Sequence, residues 1–93
     1  MKVGYGFVVV HLPVAHSLKE KRRIVKSILS DIQRKFGVSA AEVDHQDQWQ
    51  LAKIGFAFVG DTFALLNARA EMLFQYFENG WEWEVVDREF RTI

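Results

Sequence analysis

The sequence predicts a small α+β domain with the element order βαββαβ. Valine- and aromatic-rich runs recur at 2–12, 38–43, 51–59 and 81–90, and two longer stretches between them place apolar residues at helical spacing. Pro13, Gly37, Gly60-Asp61 and Asn79-Gly80 punctuate the boundaries. Elements in this order assemble as a four-stranded antiparallel sheet with two helices on one face, the ferredoxin-like sandwich.

Lys2–Leu12 reads as the first strand. Both of its alternating sets, Val3, Tyr5, Phe7, Val9 and Val8, Val10, Leu12, are largely apolar, which is the pattern of a central strand covered on both faces. After Pro13, Ser17 and Glu20 form an S-x-x-E capping box that satisfies free amides at a helix start. Leu18, Val25, Ile28, Leu29, Ile32 and Phe36 then form the buried stripe, with the basic residues on the opposite side, until Gly37 stops the helix.

Val38–Val43 is a short second strand, and Asp44 to Gln50 is the turn into a third, Leu51–Val59. There Ile54, Phe56 and Phe58 alternate with Gly55, Ala57 and Val59. Asp61 or Thr62 caps a second helix reaching about Glu78, with Phe63, Leu66, Ala70, Leu73 and Phe77 on its inner side. Trp81–Phe90 has the composition of a last strand, although Asp87 and Glu89 blur which face is buried.

Ninety-three residues at 49% hydrophobic content make one domain, 1–93, too small for two independent cores. The absence of cysteine excludes a disulfide framework and a thiolate zinc site, and fits a reducing cytoplasm. The apolar run Phe7–Leu12 is too short to cross a bilayer and reads as a strand rather than an export signal. A cytoplasmic protein with no membrane partner is the expectation.

Net charge is zero but unevenly spread. Lys19, Lys21, Arg22, Arg23, Lys26, Arg34 and Lys35 face only Glu20 and Asp31 between 19 and 35, seven cations against two acids for a net +5. Lys19, Lys21, Arg22, Arg23 and Lys26 are the candidate nucleic-acid contacts, because a cationic helix face rewards phosphate with counterion release. The plain alternative is a solvated face laced with intrahelical pairs.

Right-handed crossovers bring the end of strand one, the start of helix one and the strand two–three turn to one rim, which gathers His11, His16, Asp44, His45 and Asp47. Imidazoles and carboxylates there suit a divalent metal or acid–base chemistry. Their spacing matches no closed zinc motif, and Asp44 and Asp47 bonding turn amides is the simpler reading. No metal or other cofactor is assigned, and no residue is assigned a catalytic role. Ser17 beside His16 reads as a helix cap, not a nucleophile.

Tyr5, Phe7, Phe56, Phe58, Trp81 and Trp83 exceed what a single core hides, so some are expected on the sheet face away from the helices. An exposed apolar face of that kind points to a homodimer through the open sheet, with base stacking as the alternative. Trp49 is unusual in a turn, where it either covers the rim or folds back on the core edge.

His16-Ser-Leu-Lys-Glu-Lys-Arg22, Phe36-Gly-Val-Ser-Ala-Ala-Glu-Val-Asp-His-Gln-Asp47 and the closing Glu84-Val-Val-Asp87 resemble the YlxP-like family of small bacterial proteins over essentially the whole chain. The resemblance implies a ferredoxin-like domain of unknown function whose genes lie among those for translation and ribosome maturation. Gly55-Phe-Ala-Phe-Val59 also resembles part of the signature of RNA-recognition-motif domains, in which paired strand aromatics stack bases. Ile54 between Lys53 and Gly55, Asp61 where an aromatic belongs, Val8 on strand one and the long first helix depart from that pattern.

Together these features predict a non-catalytic binding module of the bacterial cytoplasm, a homodimer with RNA or the ribosome as partner. A small metal-binding protein or enzyme centred on the rim is the first alternative, and a protein–protein assembly factor using the open sheet is the second.

Overall fold

The computed structural model describes residues 1–93 and has the order β1 (Lys2–His11), α1 (Leu18–Phe36), β2 (Ser39–Asp44), β3 (Leu51–Gly60), α2 (Phe63–Glu78) and β4 (Glu84–Thr92). The sheet order is β2-β3-β1-β4 and every neighbouring pair is antiparallel. This is the predicted ferredoxin-like arrangement, with β1 and β3 in the middle. Both helices lie on one face and leave the other open.

Strand parity decides the core. Val8, Val10, Ala52, Ile54, Phe56 and Phe58 point toward the helices and are buried against Ile24, Val25, Ile28 and Ile32 of α1 and Leu66, Ala70, Leu73, Phe74 and Phe77 of α2. Phe56, Phe58 and Phe90 stack with centroids 5.9 to 6.4 Å apart, and Phe74 meets Phe56 and Phe90 edge-on. The stack fits because β1 is bare beneath it. A Cβ on Gly4 would lie 2.8 Å from the Phe90 ring, and one on Gly6 would lie 2.0 Å from the Glu89 carbonyl oxygen.

Both outer strands are bulged. Val9 faces Asp87 while Val10 faces Val85, so Val86 is an extra residue in β4. Glu42 faces Ile54 while Asp44 faces Lys53, so Val43 is an extra residue in β2.

The helix ends follow the sequence. Ser17 Oγ accepts from Glu20 N at 3.1 Å, and Glu20 Oε2 accepts from His16 N at 2.8 Å, one residue before the cap. At the other end Gly37 adopts φ 61°, a left-handed conformation that costs glycine little. Arg69 of α2 donates to the Phe36 and Gly37 carbonyls there while its guanidinium lies 4.5 Å over Phe58. The Tyr76 hydroxyl on α2 donates to Asp31 on α1 at 3.0 Å. Burial, reinforced by that carboxylate, pushes the phenol's pKa well above its ordinary value.

Most strand ends shift by one or two residues from the sequence reading, and two features depart further. β4 begins at Glu84 rather than Trp81, because Trp83 turns back to donate from Nε1 to the Phe77 carbonyl at 2.8 Å, which leaves Trp81 in the preceding bend. Phe63 opens α2 and stays exposed under the Lys2 ammonium instead of joining the inner stripe.

The cap geometry makes Ser17→Ala cost about 1 kcal/mol in urea unfolding, while Ser17→Asp, which keeps an acceptor at the cap, stays within a few tenths of wild type.

Candidate nucleic-acid interface

The basic residues of α1 fall at i, i+3, i+4 and i+7. Lys19, Arg22, Arg23 and Lys26 are therefore one stripe on the outer side of the first half of the helix, and all four are exposed. Arg23 is held by Glu82 at 3.1 Å, a surface pair worth less than about 1 kcal/mol and easily opened. Further along, Arg34 pairs with Asp31 at 3.3 Å and Lys35 lies 5.2 Å over the Tyr76 ring. The free cations are thus concentrated at the N-terminal half. Glu20, the acid among them, is occupied by the His16 amide.

Lys21 corrects the sequence reading. It sits on the inner side, 1% exposed, and its Nζ lies 2.8 Å from Glu42 Oε2 on β2 and donates to the His45 carbonyl. The pleat explains the placement: Glu42 shares parity with inward-facing Ile54, so an acid on this face must find a cation from the helix above. Lys21 therefore fastens α1 to the β2–β3 connection and offers no charge to a ligand.

At the rim, the predicted neighbourhood forms but the predicted cluster does not. His11 faces Leu51 across the ladder, and Lys21 reaches His45, so the three segments do share one end. His11, Asp44 and His45 each have their own local engagement. His11 Nδ1 lies 3.6 Å from Glu84, Asp44 Oδ1 accepts the His45 amide at 2.8 Å, and His45 Nδ1 lies 3.2 Å from Gln48 Nε2. His16 and Asp47 are exposed. No three histidine, aspartate or glutamate side chains come together in a way that would hold a metal ion. His45 adopts φ 66°, and its main contribution is the carbonyl it turns toward Lys21.

The open sheet face is smoother than the aromatic count suggests. Phe56 and Phe58 are in the core, so the residues that β3 shows outside are Lys53, Gly55, Ala57 and Val59. Any likeness to base-stacking RNA-recognition motifs at Gly55–Val59 therefore fails on parity, since the two phenylalanines point the wrong way. Tyr5 and Phe7 of β1 do face out, with the Lys53 ammonium 4.2 Å over the Phe7 ring. Together with Ala41 and Val43 they wall a shallow depression of about 510 Å³ floored by Gly55 and Ala57.

Residues 3–90, from β1 into β4, match the family described as "Protein of unknown function (DUF503)". The chain belongs to that family. Over 48 residues it is 48% identical to the uncharacterized protein YlxP of Bacillus subtilis (strain 168), a match spanning 52% of this chain and 52% of that protein. The aligned stretch thus covers about half of that relative's length. The YlxP-like resemblance read from the motifs is a family relationship.

Within this member of the DUF503 family, sequence reasoning missed Glu42, Glu82 and Gln50. Glu42 was visible in principle, because an acid at an inward-facing strand position signals a buried partner. Gln50 gave no such signal, yet its carboxamide donates to the Ala15 and Pro13 carbonyls at 3.0 and 3.4 Å and ties the β2–β3 connection to the β1–α1 connection. Removing one partner of the buried pair, as in Lys21→Met, strands the Glu42 charge and lowers stability by about 3 kcal/mol or more. Lys21→Met combined with Glu42→Leu recovers most of that loss in denaturant unfolding.

Proposed function

We propose that the chain is a non-catalytic binding module that contacts RNA through Lys19, Arg22, Arg23 and Lys26, in the setting of translation or ribosome maturation in the bacterial cytoplasm. The observation that carries this reading is the single exposed stripe these four make at the N-terminal half of α1. Aligned cations at this spacing neutralise successive phosphates and release condensed counterions, which a scattered set of surface charges does less well. The Lys21 fastening supports it as well, since a helix pinned to the sheet presents its charges on a rigid frame.

Neutralising the stripe tests it. With Lys19→Gln, Arg22→Gln and Lys26→Gln combined, binding to a ribosomal RNA fragment weakens and the slope of log K against log salt falls by roughly 2 units, at about 0.7 to 0.9 per lost phosphate contact. An unchanged slope would remove the stripe from the interface.

The open sheet supports a second element of the reading, a homodimer through that face. Tyr5, Phe7, Val9, Ala41, Val43, Gly55, Ala57 and Val59 form its apolar centre, with Glu89 and Arg91 along one side. Strand spacing and rise give a footprint of roughly 500 Å² per protomer, so the total is on the order of 1,000 Å², the lower end for a specific interface. In sedimentation equilibrium, Ala57→Glu gives a folded monomer where wild type self-associates; wild type that stays monomeric at high micromolar concentration excludes the dimer.

A further inference from the structure

We propose that Trp49 on the β2–β3 connection is a stacking platform for an unpaired RNA base, with His11 as the neighbouring wall. This rests on the reading of the α1 stripe as a phosphate contact and adds to it the part of the ligand recognised beyond charge.

Trp49 is 54% exposed on a segment that is otherwise fixed. At its start the Lys21 ammonium holds the His45 carbonyl, and Gln48 N donates back to that carbonyl at 3.1 Å. At its end the Gln50 carbonyl accepts from Leu12 N at 2.9 Å while the Gln50 carboxamide holds Ala15 and Pro13. The backbone on either side of the indole is therefore tied to β1 and α1, and Trp49 is kept out of the core by its frame. A large aromatic on a tethered backbone and half in water has already met the backbone part of the ordering cost of binding.

The surroundings choose the ligand. Trp49, His11, Gln48, Gln50 and Leu51 line an open depression of about 530 Å³, which combines a flat π-surface, an imidazole and carboxamides. Flat faces plus hydrogen-bonding edges match a nucleobase. The N-terminal half of α1 lies at the same end of the molecule, because Lys21 in its first turns reaches the β2–β3 connection directly, with the cation stripe on the outer side of the helix and His11 and Leu51 at the outward parity of the open sheet face. A single strand that rounds this end from Lys19, Arg22 and Lys26 can place an extruded base on the platform. A duplex, whose bases remain stacked internally, cannot use the platform.

The test is fluorescence anisotropy with a short labelled oligouridine and, separately, a duplex RNA, for wild type, Trp49→Ala, Trp49→Phe and the triple glutamine variant of α1. The expected result is that Trp49→Ala weakens oligouridine binding about tenfold or more with an unchanged salt slope, that Trp49→Phe retains most of the affinity, and that duplex binding is the same in wild type and both Trp49 variants. Equal oligouridine binding by wild type and Trp49→Ala, while the α1 variant loses affinity, would overturn the platform and leave the phosphate reading standing. Loss of oligouridine and duplex binding to the same degree in Trp49→Ala would also overturn it. RNA binding indifferent to both sets of substitutions would remove both readings, and a protein partner captured through Trp49 without any effect on RNA would reassign the site to protein. Circular dichroism melts of the Trp49 variants that match wild type exclude a folding artefact.

Discussion

The alternation of β3 is the constraint on which the rest of the molecule depends. With Ile54, Phe56 and Phe58 turned toward the helices, the opposite side of the central sheet is left with Gly55 and Ala57 at its middle. A shift of one residue would exchange the two sets and leave the aromatic stack without its helical cover. Ten consecutive partners between β1 and β3 hold the register, Gly4 makes room for the stacked rings, and Gly6 lets the β4 backbone approach at Glu89. The apolar but shallow outer surface is a direct result: on β3 its side chains are small because the large ones are inside.

A second consequence of parity falls on Glu42. Burying a carboxylate next to a hydrophobic layer is costly unless a cation meets it, and Lys21 extends from α1 to do so. What this contact contributes is orientation. It sets the N-terminal half of α1 against the polar β2–β3 connection that carries Trp49.

Most of the architecture was legible because long amphipathic patterns leave little freedom. The element order, the Ser17 cap, the Gly37 stop and most of the inner residues of both helices follow from periodicity and local chemistry. The individual side chains at the site were less so. Lys21 resembles its neighbours Lys19 and Arg22 in sequence, and only the angular position on the helix, together with an acid on β2, separates a buried lysine from solvated ones. Phe56 and Phe58 were ambiguous for a related reason: a strand with apolar residues on both sides does not announce which set meets the helices. The segments that carry His11, His16, Asp44, His45 and Asp47 share one end, but proximity of segments does not make side chains converge, and a left-handed backbone at His45 lets this turn satisfy its polar groups locally.

The extra residues at Val43 and Val86 sit in the two strands that terminate the sheet. An irregular ladder at both flanks denies a passing strand the even row of donors and acceptors needed to add on, and so guards this β-rich protein against ribbon-like accretion. The interruption falls near one end of each edge strand, so neither flank offers a full-length regular template for lateral growth.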